Sequence, residues 1–357
     1  MGQSPDSSSY NTDGIGVPLV QGNADIQDRT TKPQRYTSLP SSKYCDVGDT
    51  LISVRAPVGS ISKSIVHACI GRGIASLGKI DNFLYQFFLL KENSWGNIAQ
   101  GSTFSCITAK DIENLIIGIP TVEERNKIGS FLALIDERIQ TQNKIIEDLK
   151  IFRNLIYDKL ICFYKTEQIS IKELINRDFV RMIKPSELKP FIGVKKYLST
   201  SSVDDEGISS IETLITYKDR PSRASMYPIN KSVWFAKMKN TIKVLKSNNE
   251  IQNSYVLSTG FYGLLCDERK INSDWLLETF RSNSFNNQKD RFSEGSSMSA
   301  IKDNQLEDIL INLITNKADE DKAVKLLLSL SSSIVTNKTL LEKHKKQKEY
   351  LLENMFI

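Results

Sequence analysis

The sequence predicts an α+β protein built from two tandem copies of one module. Each copy is a strand-rich mixed domain followed by a long helix, and the two helices pair as an antiparallel coiled coil. Three observations predict this. A segment at residue 101 recurs at residue 295, apolar residues repeat at gaps of three and four in the middle and at the end of the chain, and alternating runs broken by Gly and Pro precede each helix.

The recurrence runs from Gly101 to Ile117 against Gly295 to Ile311, with identity at Gly101, Ser102, Ser105, Ile107, Glu113 and Ile117. Upstream, Asn82–Phe88 aligns with Asp274–Phe280, and Gly48–Arg55 with Asn230–Lys237. So long a period is domain duplication, not a solenoid. A length of 357 residues also calls for more than one domain. Thr50-Leu-Ile-Ser-Val54 and Ser254-Tyr-Val-Leu-Ser258 read as strands, punctuated by Pro57, Gly59, Gly71, Gly73, Gly260 and Gly263.

The first helix is expected from Val122 to about Phe163, with a seam at Ile128, Phe131, Ile135, Ile145, Leu149, Phe152 and Ile156. Thr121 ahead of Glu123-Glu124 marks its start, since acidic side chains suit a helix N-terminus. The second runs from about Asp319 to Phe356, through Leu327, Leu330, Ile334, Leu341, Leu351 and Met355. Arg138 and Gln142 interrupt the first seam, and Asn337, His344 and Lys348 the second. Such residues are either solvated turns or devices that fix register. At 1.5 Å per residue each helix would be roughly 60 Å long. A stripe of that length needs a partner throughout, and the other copy supplies one. The expected domains are 1–120, 121–163, 164–315 and 316–357.

Composition narrows the function. Five dispersed cysteines without a C-x-x-C pair suit buried thiols in a reducing compartment, and two histidines leave little for a metal centre or a histidine-dependent triad. P-loop, G-x-S-x-G and H-E-x-x-H signatures are missing, so catalysis by this chain is not expected. No apolar run reaches membrane-spanning length and no leader is evident, which predicts a cytoplasmic protein. Net charge is +5, but residues 181–246 hold 13 basic residues against 6 acidic, interleaved with Tyr197, Tyr217, Tyr227 and Trp234. That pattern suits phosphates and base edges. The alternative is a coiled-coil scaffold or adaptor whose basic surface is incidental.

Several motifs resemble the specificity (S) subunits of type I restriction-modification enzymes. They are Leu19-Val-Gln-Gly-Asn-Ala-Asp-Ile26, Gly48-Asp-Thr-Leu-Ile-Ser-Val-Arg-Ala-Pro-Val-Gly59, Cys69-Ile-Gly-Arg-Gly73, Ile119-Pro-Thr-Val-Glu-Glu-Arg-Asn-Lys-Ile128 and Leu134-Ile-Asp-Glu-Arg-Ile139. The resemblance implies two target-recognition domains, each reading one half of a bipartite double-stranded DNA target in the major groove. It implies a coiled coil that sets the unread spacer and docks two methyltransferase subunits. Those subunits carry S-adenosylmethionine, and restriction subunits supply ATP- and magnesium-dependent cleavage in defence against foreign DNA. The S subunit itself would hold no cofactor, metal or active site. The second copy departs from the pattern, with Ala236-Lys-Met-Lys-Asn240 and Leu257-Ser-Thr-Gly260 in place of two signatures, and the first copy looks short at its N-terminus.

On this reading the DNA-contact candidates are Arg29, Lys32, Arg35, Arg55 and Arg72 in the first copy. In the second they are Lys195, Lys196, Arg220, Arg223, Lys237 and Lys239, with Lys195-Lys196 placed roughly where Arg29–Arg35 stand in the first. Glu123, Glu124, Arg125, Asp136 and Arg138 are the candidates for contact with a methyltransferase partner.

Overall fold

The computed structural model describes residues 1–95, 106–210, 213–292 and 301–356. The recurring segments at 101–105 and 295–300 lie outside the described residues. Two compact units emerge: Met1–Asn143 with Leu340–Ile357, and Lys144–Thr339. The long helices Val122–Phe163 and Lys317–Met355 each contribute residues to both units.

Within the first unit two five-stranded sheets stack. One is built around Val17–Val20, which pairs parallel with Ala68–Ile70 and antiparallel with Arg35–Thr37. The other is built around Thr50–Ser53, which pairs antiparallel with Ile61–Lys63 and Ile74–Ser76. Thr50–Ser53 is buried at every position. Side chains alternate across a strand, so Leu51 packs with Val20, Ile70 and Ile74 between the sheets. Ile52 faces the other way, joining Tyr85, Phe88 and Leu89 of the helix Asn82–Lys91. The layers are sheet, sheet and helix.

The second unit repeats the shared strands of both sheets in the same order, in sheets of four strands each. Lys195–Leu198 pairs parallel with Tyr255–Ser258 and antiparallel with Thr213–Ile215. Ser232–Ala236 pairs antiparallel with Val244–Lys246 and Phe261–Cys266. Trp234 and Ala236 face the first of these sheets, with Leu198 and Leu257. Val233 and Phe235 face the helix Ser273–Arg281, with Trp275 and Phe280. Trp234 lies opposite Gly263, where a Cβ would come within 2.3 Å of the indole, so only glycine admits that ring. The alignments of Gly48–Arg55 with Asn230–Lys237 and of Asn82–Phe88 with Asp274–Phe280 therefore fall on equivalent elements.

The edge strands differ among the described residues: Tyr10–Asn11, Ile26–Gln27 and Thr30–Thr31 have no counterpart in the second unit's sheets, nor Val180–Met182 in the first's. In the second unit Leu310–Ile314 pairs antiparallel with Thr166–Ser170. The first-unit counterpart by sequence, residues 116–120, has no strand partner among the described residues, and Ile116 is 94% exposed.

The first long helix begins with a capping box. Thr121 N–H and Oγ1 donate to Glu124 Oε2 at 3.1 and 2.7 Å, and Glu124 N–H returns to Thr121 Oγ1 at 3.3 Å. Asn316 opens the second by accepting from Ala318 and Asp319 N–H. Within the first unit Ile128, Leu132, Ile135 and Ile139 pack with Leu351, Leu352 and Met355. Within the second, Arg153 meets Ser331. The partner numbers fall as the first helix advances, so the pairing is antiparallel.

The seam differs in phase from the expected one. Ile128, Ile135 and Ile156 lie within it, but Phe131, Ile145 and Phe152 are 45%, 40% and 50% exposed, and Leu132, Ile146 and Arg153 are buried instead. Adjacent apolar positions satisfy the same three-four rhythm, so periodicity alone does not choose between them. Gln142 is buried as a seam residue would be, whereas Arg138 is exposed.

Arg153 anchors a buried charge network. It donates to Glu206 Oε2 at 3.0 Å and Ser331 Oγ at 3.0 Å, and lies 3.8 Å from Glu278. Arg281 pairs with Glu278 and donates to Asp205 O at 2.7 Å. Nearby, Lys338 reaches Asp204 and Asp205, and Lys150 reaches Asp205. Burial raises the Glu206 carboxyl while Arg281 and Arg153 oppose that rise. Removing one member leaves buried charge uncompensated. Arg153→Met is therefore expected to destabilise the second unit by about 3–5 kcal/mol in urea unfolding. Adding Glu206→Gln and Glu278→Gln to it should recover part of the loss, and a triple variant no more stable than Arg153→Met would contradict this account.

Candidate nucleic-acid interface

Parallel pairing puts the carboxyl ends of two strands side by side, and each unit gathers basic residues there. In the first unit Leu19 pairs with both Arg35 and Cys69, so Arg35 and Arg72 stand at one end of the sheet. Lys43 joins them, its carbonyl accepting from Ile70 N–H at 2.9 Å. The second sheet adds a hairpin loop, residues 54–60, tied in by Val54 N–H donating to Gly73 O at 2.9 Å. Arg35, Lys43, Arg55 and Arg72 are exposed, and their cationic groups have no partner among the described residues.

The second unit builds the same end from different residues. The Arg223 carbonyl accepts from Thr259 N–H at 2.9 Å, two residues beyond the position that matches Ile70. Lys237 N–H donates to Gly260 O at 2.9 Å, as Val54 does to Gly73. The loop 237–243 then carries Lys237, Lys239 and Lys243. Lys243 turns inward onto Thr200 O, and Lys237 pairs with Asp303 at 3.1 Å. Arg223 and Lys239 keep their charges without a partner among the described residues.

The remaining candidates lie elsewhere. Arg29, with φ 59°, makes a two-pronged pair with Glu92 at 3.1 and 2.8 Å and donates to Ile61 O. Lys32 donates to Gln27. Lys195 and Lys196 sit at the opposite end of their strand, beneath aromatic rings: Lys195 lies over Phe191 and Tyr227, Lys196 over Tyr255. Arg220 stacks 3.9 Å from the Tyr217 ring centroid and donates to the Tyr217 carbonyl. The expected equivalence of Lys195-Lys196 with Arg29–Arg35 fails, because strand pairing aligns Tyr197-Leu198 with Leu19-Val20 and so Lys196 with Pro18. Lys43 and Lys243 belong to the basic segments of the sequence but were not singled out as contacts, since only strand pairing brings them to this end.

On the long helices, Glu124 serves the cap, and Thr121 hydrogen bonds lower its carboxyl. Glu123 pairs with Lys127 and Arg125 with Asp81 at 3.1 Å. Asp136 accepts from Gln86 at 2.6 Å and pairs with Lys348. Only Arg138 of this set faces solvent without a partner. An outward apolar stripe was missed in the sequence: Phe131 and Leu134 in the first unit, Ile151, Phe152 and Leu155 in the second, all exposed by 45% or more. No group of His, Cys, Asp and Glu among the described residues is arranged to hold a metal ion, and no described helix is long and apolar enough to cross a membrane.

Residues 8–150 match the type I restriction modification DNA specificity domain. The resemblance drawn from the sequence motifs holds. The chain is 39% identical over 166 residues to a protein described as the MjaX specificity subunit of a type I restriction enzyme, and 29% identical over 153 residues to the MjaIX specificity subunit, both from Methanocaldococcus jannaschii. These matches cover 45% and 40% of this chain, and 39% and 34% of the relatives, so the chain spans under half of the length of the curated relatives it matches. Its fold is that of the type I restriction-modification S subunit from M. genitalium, with a TM-score of 0.55 at 13% identity, covering 100% of this chain and 92% of the other. A chain from a structure of type I system assembly and conformational transition gives 0.50, also at 13%, covering 99% and 93%.

Lys289 supports the second basic end from inside. Its side chain is 1% exposed on the helix Asn283–Phe292, and its ammonium donates to Met238 O at 3.0 Å and to Thr241 O. Burial pushes its pKa down to about 8 from 10.5, with Asp290 opposing. Between those values the unfolded chain holds a proton the folded chain has released, so this group's contribution to stability rises with pH. From pH 7 to pH 10 the wild type should gain roughly 2–3 kcal/mol on Lys289→Met in urea unfolding. A difference that stays flat with pH would contradict this.

Proposed function

We propose that the chain is a DNA-sequence-specificity subunit of a type I restriction-modification complex. Each unit reads one half of a bipartite duplex target through the basic end of its parallel strand pair. The observation that carries this reading is the recurrence of that end. Two units of like topology place cations that have no partner among the described residues at the same end of the parallel strand pair, using different residues. Duplication explains the shared place, and different residues suit different half-sites. Cations fix the register on phosphates, and Arg or Lys forks discriminate bases at about 1–3 kcal/mol per good contact.

The long helices set the spacer between the half-sites. Their outward apolar residues, Phe131 and Leu134 among them, fit docking of modification subunits, with Arg138 as a charged contact beside them. Burial of such side chains stabilises association by roughly 25 cal/mol per Å² removed from water. The chain itself makes and breaks no bonds in this role. S-adenosylmethionine, ATP and magnesium act on the partner subunits.

Two experiments test the reading. Replacing residues 164–315 with a different recognition domain should change one half of the methylated sequence in the host methylome and leave the other half intact. An unchanged pattern contradicts the proposal, and binding without sequence preference that weakens steeply with salt points to a scaffold with an incidental basic surface. Inserting seven residues, about two helical turns, in phase into both long helices should lengthen the spacer and keep both half-sites. Altered half-sites with a fixed spacer would overturn the spacer role.

A further inference from the structure

The two hairpin loops at the basic ends are fixed by unrelated contacts. In the first unit Ser53 Oγ donates to Pro57 O at 2.8 Å and accepts from Ser60 N–H at 2.9 Å. Asn23 Nδ2 donates to the same Pro57 carbonyl at 3.0 Å. Gly59, at φ 89°, lies against Trp95, where a Cβ would sit 2.5 Å from the ring. In the second unit the buried Lys289 ammonium holds the carbonyls of Met238 and Thr241. The adjacent Asp290 accepts from Asn240 N–H at 3.0 Å, with Asn240 at φ 55°. Each loop then presents one cation without a partner among the described residues, Arg55 in the first unit and Lys239 in the second.

Surface hairpin loops are ordinarily left to move. Placing an ammonium in the interior is costly, and an apolar side chain of similar length would fill the space without the desolvation penalty. What the lysine provides, and an apolar residue does not, is a fixed course for the loop backbone. The same requirement is met in the first unit by Ser53, Asn23 and Trp95, with no residue in common. A shape maintained twice by independent means belongs to an element whose geometry matters, and contacts held in place before binding waste less entropy on ordering.

We infer that the loop 237–243 is the preshaped base-reading element of the second unit, that Lys289 is its positioning residue, and that the loop 54–60 is its counterpart in the first unit. This rests on the DNA-specificity reading above and adds which element does the reading.

The test uses the full chain in its native complex and a pool of random-sequence duplex DNA, with the bound fraction sequenced. Lys289→Met should keep one half-site unchanged and broaden the other, losing roughly tenfold discrimination at one or two base pairs. Lys239→Ala should broaden those same base pairs, and Lys289→Arg should retain most of the preference. Equal broadening of both half-sites, or broadening at positions that Lys239→Ala does not affect, overturns the inference. Trypsin digestion gives a second readout: cleavage after Lys239 should rise severalfold in Lys289→Met and in Asp290→Ala while other sites keep their rates. Unchanged cleavage in both variants overturns the positioning role. A wild-type complex with no bipartite preference sinks the DNA-specificity reading itself, an outcome distinct from either.

Discussion

Two helices of 42 and 39 residues each carry a long apolar seam, and covering that seam is the constraint on which the rest of the structure depends. In the first unit the cover is Leu132 and Ile135 against Leu351 and Leu352, extended by Phe356 on the rings of Phe83 and Phe87. In the second it is Tyr157 stacked on Trp275, with its hydroxyl donating to Thr279. Each unit is thus built onto the long helices by its own aromatic contact. The helices are part of each core and not tethers between cores.

The charge network around Arg153 works on the same surface by different physics. Apolar contacts tolerate sliding by a residue or two, because any methyl satisfies any other. An Arg held by Glu206, Glu278 and Ser331 does not, since each displacement strands a buried charge. In the second unit the network ties the first long helix, the second long helix, the loop at residues 204–206 and the helix Ser273–Arg281 into one register. Stability from such a group is modest. What it contributes is a single arrangement of the elements that meet there.

The basic ends show how duplicated scaffolds diverge in chemistry while keeping geometry. The parallel pairs Val17–Val20 with Ala68–Ile70 and Lys195–Leu198 with Tyr255–Ser258 are held by backbone bonds that do not depend on side chains. Their flanking positions are free to change, so Lys43 lies beside one pair and Arg223 beside the other, and Val54 stands where Lys237 stands. Even the support beneath the loops has been replaced, a tryptophan in one unit and a buried lysine in the other. Loops are the variable part of such frames, and the frame decides where they point.

Much of this was legible in the sequence, and the boundary has a physical cause. The duplication, the strands at Thr50 and Tyr255, and both helix starts follow from local signals: periodicity, capping residues and turn residues act over a few positions. The phase of the helix seam did not follow, because Phe131 and Leu132 fit the same rhythm and only contact with Leu352 decides between them. Nor did the sorting of the basic residues. Arg29 and Arg35 are near neighbours in the chain, yet Glu92 pairs with one and strand pairing with Leu19 sends the other to the rim. The sequence by itself determined which elements exist and that they come twice. The tertiary structure alone decided which face of each is buried and which charges are left for a partner, because those outcomes turn on residues brought together from far apart in the chain.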